Sequence, residues 1–264
     1  MKFSNDKEKR IQKKFIRNGY IIFDIDQKKN LNLIRKRIIE YSLKWFKKNS
    51  IKIRNKNNLL DETHKYLNTK MLNDFRLYIY EKINNSKDFQ KIYYNIGKKY
   101  IDLLCGNELV MQKKCNLSIQ FPNDDSSLLP LHADVWSGDS EYELVFWLPL
   151  VNVYKTKSMY ILSPKDNLIH SKQLKKLKSI NEIFSKVKKK VKWLKMNYGQ
   201  GLLFTQNLMH GNVINIEKGT RWSFNCRFKS AFSPYRDKEV GSFFTPITIK
   251  PTTILGMNYK LPDV

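Results

Sequence analysis

Long apolar runs are missing from this chain of 264 residues. None approaches the ~18 residues that cross a bilayer. The opening MKFSNDKEKRIQKKF is charged where a secretory leader would be apolar. We therefore expect a cytoplasmic protein with no membrane span. Cysteine is scarce as well: Cys105, Cys115 and Cys226 are odd in number, widely spaced and without a C-x-x-C, which argues against a disulfide framework or a cysteine zinc site. Arginine is rare among the basic residues, nine of 49, although the formal net charge is +25. Phosphate-reading surfaces favour the forked guanidinium, and the lysines here lie scattered among asparagine and isoleucine, as an AT-rich genome would write them onto any surface. No nucleic-acid partner is expected. An anionic small-molecule substrate remains compatible with the charge; the oligomeric state is not legible.

What is present divides in two. Up to residue 106 the pattern is mainly helical: Ile11 and Phe15 share a face, Gly19 closes that segment, YIIFDI (20–25) has strand composition, and Leu31, Ile34, Ile38, Tyr41 and Trp45 recur at helical spacing. Two further helices are predicted near 69–84 and 88–104. From 107 to 230, short apolar or alternating runs separated by turn residues argue for a sandwich or barrel. The fold expected is mainly β with α: a double-stranded β-helix, the cupin-like jelly-roll, buttressed by the N-terminal helices. Residues 165–190 read as a basic helical insertion, and 231–264 as a tail lying along the surface. With no repeat and no Gly/Ser-rich linker, 1–264 is read as a single domain.

The chemistry concentrates in the second part. His132 and Asp134 form an H-x-D at a predicted strand or strand end, which puts both side chains on one face. His210 opens another predicted strand 76 residues later. Two imidazoles and a carboxylate with positions left open are the facial ligand set of non-haem iron(II) oxygenases. Arg221 follows His210 by eleven residues, across a predicted hairpin. There a guanidinium could grip the distal carboxylate of 2-oxoglutarate. Ser223 shares its strand face and could add a hydroxyl; Arg227 shares it too and could meet a substrate anion or make a structural ion pair. A second reading, a metal-binding β-helix protein such as a cupin-like isomerase or sensor, would keep the triad without needing Arg221.

These residues sit in segments that resemble the phytanoyl-CoA hydroxylase-like branch of the 2-oxoglutarate/iron(II) dioxygenases. FIRNGYIIFDIDQKKNLNLIRKRI is similar to that branch's opening, QFPNDDSSLLPLHADVWSGDSEYELVFWLPLVNVYKTKSMYILSP carries the metal motif, and HGNVINIEKGTRWSFNCRFKS carries the second histidine and the arginine. The wording LPLHADVWSGDS and WLPLVNVYKTKSMYIL further resembles oxygenases of sporadically distributed carbohydrate-biosynthesis clusters. The resemblance implies His132, Asp134 and His210 as iron ligands, Arg221 as the 2-oxoglutarate anchor, O2 as oxidant, and a sugar-linked substrate from surface-polysaccharide biosynthesis. Asp134 stands where halogenating relatives carry a small residue, which points to hydroxylation or a related oxidation. SPKDN (163–167) departs from the family's usual turn there, on the substrate side.

Other residues have a functional and a plain reading. Gln120, Ser118 and Asn116 alternate on one strand face, Gln120 being the favoured cosubstrate contact. Trp136, Trp147 and Trp222 suit core or cavity wall. Asp139 and Glu141 could bind a polar substrate but suit a solvated loop better. Asn207 and Asn212 could orient His210 or complete a turn. His64, His170 and the lysines of 186–190 are expected to face solvent.

Overall fold

Local signals set the first elements in the computed structural model, which describes residues 3–172 and 180–262. Asn5 and Glu8 cap each other's backbone amides at the start of α1 (Asp6–Asn18), and Gly19, at φ 73°, stops the helix and turns the chain into β1 (Tyr20–Asp24). Helix α2 (Lys28–Lys48) buries Leu31, Ile34, Ile38 and Trp45, its predicted apolar stripe. Helices α3 (Thr69–Asn84) and α4 (Phe89–Cys105) follow where helical spacing placed them.

The rest is built on two antiparallel sheets. The larger takes in β1 together with β2 (Leu109–Gln112), β3 (Asn116–Gln120), β4 (Leu144–Pro149), β7 (Gln200–Thr205), β9 (Arg221–Ser230) and β10 (Phe244–Pro246). Its order is β1-β7-β4-β9-β2-β10, with β3 also pairing β9. The smaller has the order β6-β5-β8, from β5 (Tyr160–Ile161), β6 (Lys192–Trp193) and β8 (His210–Gly211), and a bridge between His132 and His210 extends it.

Strand β9 shows how the sequence divides the two faces of the large sheet. Its even positions, Trp222, Phe224, Cys226 and Phe228, are fully buried in the main core. Phe224 packs edge-on to Phe89 of α4, and Trp222 to Phe75 of α3. Its odd positions, Arg221, Ser223, Asn225 and Arg227, face a cavity of about 350 Å³. Period-two alternation thus assigns one face to the helices and the other to the site. Strand β4 repeats the device, with Phe146 and Leu148 in the core and Val145 and Trp147 at the cavity.

Two expectations are revised, and a third, the basic helical insertion, is filled in. The stretch from His210 to Arg221 is not a hairpin: β8 pairs with β5 in the small sheet, whereas β9 pairs with β2, β3 and β4 in the large one. The chain crosses between sheets there. The tail does more than lie on the surface, since β10 pairs with β2 and α7 (Pro251–Asn258) follows. The basic stretch 165–190 carries α5 (Pro164–Ser171), capped by the Ser163 side chain, and α6 (Ile180–Val187); the part at 173–179 lies outside the described residues. Ile183 and Val187 of that stretch are buried in a second small core with Leu131, Tyr160, Leu162 and Met209. The lysines at 186 and 188–190 are exposed, as expected. Among the described residues no helix is long and apolar enough to cross a membrane.

Candidate active site

The two histidines are brought together by backbone pairing. His132 and His210 exchange both main-chain hydrogen bonds, at 2.9 and 2.8 Å, which sets their rings 4.3 Å apart between centroids. Gly211 follows within a tight fit: a Cβ there would stand 2.6 Å from the Tyr160 hydroxyl and 2.8 Å from the Leu129 carbonyl oxygen. Asp134 does not continue a strand. It opens a 3-10 turn, Asp134–Ser137, which Gly138 ends at φ 80°. That turn places Asp134 Oδ1 3.4 Å from His132 Nε2 and 3.9 Å from His210 Nε2. One ligand atom from each of the three residues lies within 4.8 Å of the others.

Ring orientation follows from a repeated local bond. His132 Nδ1 donates to the Pro130 carbonyl at 2.7 Å, and His210 Nδ1 donates to the Leu208 carbonyl at 2.8 Å. A carbonyl only accepts, so each Nδ1 carries a proton, and each ring presents Nε2 toward Asp134, as a lone pair for a metal or, on His132, as a donor to the carboxylate when no metal is bound. Asn207 and Asn212 are therefore not the orienting partners. Asn212 instead accepts from the Leu129 amide, and Asn207 donates to the Glu141 carbonyl. Two Nε2 lone pairs and a carboxylate converging at this spacing suit a borderline divalent cation.

The electrostatics agree. Burial pushes the His210 imidazole down to about 4, keeping it neutral, with the nearby charges of His132 and Arg227 pushing the same way. His132 is raised: burial opposes its charge, but the hydrogen bond to Asp134 and the Pro130 carbonyl outweigh it. Asp134 is held well below the usual carboxylate range, because the His132 hydrogen bond and the charges of His210 and Arg227 overcome its burial. The carboxylate is thus ionised and competes for a cation, proton or metal, across ordinary pH.

Arg221 is 3% exposed, and among the described residues its one side-chain hydrogen bond is from Nη2 to Ser118 Oγ at 3.0 Å. Its Nε has no partner, nor does the hydroxyl of Ser223 beside it. Burial alone moves its pKa, down to about 10, with no carboxylate opposing the shift. A buried guanidinium without a counter-ion is costly. These groups fit a bound carboxylate, which would supply the acceptors they lack. Gln120 stands opposite Arg221 in the register but does not line the cavity. It is fully buried, its Nε2 donates to the Val213 carbonyl at 2.8 Å, and its Oε1 has no partner. The residues of β3 that do reach the cavity are Asn116 and Ser118.

Arg227 sits at the other end of the same strand face and is fully engaged. Its Nη2 lies 3.3 Å from Asp134 Oδ1 and its Nε 3.1 Å from Asp139 Oδ1, while Nε also donates to Gln206 Oε1 at 2.9 Å. Asp139 is fully buried rather than solvated, and Lys238 caps its second oxygen. Glu141 stays on the surface, paired with Arg236 at 2.9 Å. Sequence pattern offered Asp139 only as a loop residue or a contact for a polar substrate and did not point to Lys238; one sits in a turn and the other in the tail, where no periodicity operates. His170 is buried, with neither ring nitrogen bonded among the described residues, and His64 is half-buried, its Nδ1 2.9 Å from Thr220 Oγ1; neither faces solvent as expected. Trp222 is core, Trp147 lines the cavity, and Trp136 is 40% exposed.

No protein-family model matches the chain, and no curated protein matches it. Solved structures do. The non-heme monooxygenase ThoJ in its nickel complex aligns over 92% of this chain and 85% of its own, at 12% identity and a TM-score of 0.56. EctD from S. alaskensis in its apoform aligns over 88% of this chain and 81% of its own, at 15% identity and a TM-score of 0.57. The same EctD with 2-oxoglutarate and 5-hydroxyectoine aligns at 16% identity and a TM-score of 0.54, over 88% and 80%. At these identities the likeness is one of architecture, and this chain shares its fold with those proteins.

Proposed function

We propose that the chain is an iron(II)- and 2-oxoglutarate-dependent oxygenase acting on a small molecule. The observation that carries this reading is Arg221, a buried cation without a counter-ion in the cavity that also holds the His132–Asp134–His210 cluster. A metal site alone would suit an isomerase or a sensor equally well. A metal site sharing one cavity with an unpaired, buried guanidinium suits a metal-chelating keto acid with a second carboxylate. The neighbours in fold lend support, since one is called a non-heme monooxygenase and another is EctD with 2-oxoglutarate.

In this reading His132 and His210 hold iron through Nε2 and Asp134 through its carboxylate, while Arg221, helped by Ser118 and Ser223, holds the distal carboxylate of the cosubstrate. Iron with 2-oxoglutarate and O2 supplies the oxidation of a substrate C–H bond, giving succinate and CO2. The protein's part is placement and exclusion of water. The carbonyls of Pro130 and Leu208 lock the imidazoles, and Phe204, edge-on to His210 at 4.9 Å, walls the metal side with Trp147 and Met159. Asp134 fills the position that halogenating relatives leave to a halide, which favours hydroxylation. The double-stranded β-helix as the description of the two sheets, the whole chain as one domain, and a sugar-linked substrate of surface-polysaccharide biosynthesis belong to the same proposal. The last rests on the sequence resemblance.

The test is direct. Anaerobic protein with iron(II) should develop a visible charge-transfer band on adding 2-oxoglutarate, and should release succinate slowly in air even without substrate. Arg221→Ala should lose 2-oxoglutarate binding while retaining nickel(II) or iron(II). Retention of iron with no 2-oxoglutarate binding in the unaltered protein would instead support the isomerase or sensor.

A further inference from the structure

The charged side chains lining the cavity are five besides the two histidines: Arg221, Arg227 and Lys238 against Asp134 and Asp139. They leave one positive charge over. A dication and a dianionic cosubstrate entering this cavity offset each other, so the excess persists in the loaded state. Its location follows from the pairing. Asp134 belongs to the metal cluster, and Arg221 is the anchor for the cosubstrate carboxylate. What remains at the cavity wall is Arg227 and Lys238 facing the carboxylate of Asp139; Glu143, behind them on Gln206, is raised to about 7 by burial and leaves the excess uncancelled below that pH.

These two cations are not equivalent. Arg227 is fixed by Asp134, Asp139, Gln206 and Gln112 from β9. Lys238 comes from the segment 231–243 between β9 and β10. That segment is strapped over the turn after the metal motif: Ser140 Oγ donates to the Pro234 carbonyl at 2.7 Å and Arg236 pairs with Glu141, while a Cβ on Gly138 would stand 2.3 Å from Asp237. Lys238 Nζ lies 4.9 Å over the Phe243 ring and is about a quarter exposed, with Asp139 its one ionic partner. A flexible ammonium in a fixed strap can swing to share its hydrogens between Asp139 and an incoming anion, while Arg227 Nε stays 3.1 Å from Asp139 Oδ1 as its second ionic partner.

We propose that this end of the cavity, with Lys238 as its anchor, binds a negatively charged group on the substrate, a carboxylate or a phosphate. The inference rests on the oxygenase reading, because the excess charge is reckoned with metal and cosubstrate in place. In a cavity where most of the charged groups are buried, one uncompensated charge favours anionic over neutral molecules. Electrostatic complementarity of this kind sets specificity more than raw affinity.

The test uses the full chain loaded with nickel(II) and N-oxalylglycine, redox-inert stand-ins for iron and 2-oxoglutarate. Inorganic phosphate and acetate are titrated at fixed ionic strength against chloride, with binding read by calorimetry and by thermal shift. Saturable binding of at least one anion is expected, weakened at least tenfold in Lys238→Gln and restored in Lys238→Arg; which anion binds better tells phosphate from carboxylate. Loaded protein that binds neither anion, or Lys238→Gln that binds as well as the unaltered chain, overturns the inference. If N-oxalylglycine itself fails to bind, the oxygenase reading falls and this inference falls with it, so the two failures are distinguished by the first titration. Arg221→Gln serves as the control for the other end: it should lose N-oxalylglycine while nickel(II) is retained.

Discussion

Two arginines stand six residues apart on the same face of β9, and they are held in opposite ways. Arg221 is deeper and has a single neutral partner. Arg227 is slightly more exposed and reaches two carboxylates and two side-chain amides. Solvation cannot account for the contrast, since both are largely buried. Folding satisfied one guanidinium from within the chain and left the other to be satisfied from outside. A buried charge without a partner is a liability that a ligand converts into affinity, whereas a buried charge with partners is part of the framework. Under the proposed function, the contrast makes Arg221 the binding group and Arg227 the positioning group of one strand.

The sharpest way to break this comparison is to remove each guanidinium in turn. Arg227→Gln leaves fully buried Asp139 with Lys238 alone and frees Asp134 from one neighbour. Breaking a buried pair by removing one partner costs about 3–5 kcal/mol, and urea unfolding should show a loss of that order. Arg221→Gln should do the reverse. With no ion pair to break, stability should hold or rise, while affinity for 2-oxoglutarate falls roughly 100-fold, the value of about 3 kcal/mol for a charge-assisted bidentate contact. Equal destabilisation by both substitutions would erase the distinction.

Glu143 sharpens the comparison from behind the Arg227 end. Burial, with the Asp139 charge adding, raises its carboxyl to about 7, though the Ser140 amide and Gln206 oppose the shift. A folded-state pKa above the unfolded value means that the native chain holds the extra proton. The associated stability is therefore complete below about pH 4.5 and is lost as pH rises through 7. Urea unfolding from pH 5 to 8 should show this decline, of at most about 3 kcal/mol, and Glu143→Gln should flatten it. No such slope is expected from the Arg221 end, where no carboxyl is packed against the guanidinium.

How much of this could be read beforehand depends on periodicity. The triad and Arg221 were legible because H-x-D, a late histidine and an alternating strand each leave a mark in sequence, and the alternation of β9 placed Arg221, Ser223 and Arg227 together. The helices α2 to α4 were legible through their apolar stripes. The crossing from β8 to β9 was not, since a two-residue strand such as His210–Gly211 is too short to carry a pattern and a Gly-Thr turn suggests a hairpin. Lys238 and Asp139 meet through irregular backbone, far apart in sequence, and His170 is buried by α5 packing that polar composition concealed. Gln120 shows the opposite error: its face was rightly assigned, but the Val213 carbonyl captures its amide.

The smallest expected effect tests the comparison most finely. Ser223 is fully buried beside Arg221, and its hydroxyl has no partner. A buried hydroxyl retained for structure would be hydrogen-bonded, and its removal would cost the chain about 1 kcal/mol. One retained for a ligand has nothing to lose in the free protein, so Ser223→Ala should leave urea unfolding unchanged or slightly more favourable to the fold. The same substitution should weaken 2-oxoglutarate binding by about tenfold, the worth of one hydrogen bond to a charged acceptor at the low end of its range, about 1.5 kcal/mol. Stability lost with affinity unchanged would place Ser223 with the framework, on the side of Arg227. Affinity lost with stability unchanged would place it with Arg221 and extend the ligand-directed stretch of β9 to two adjacent inward positions.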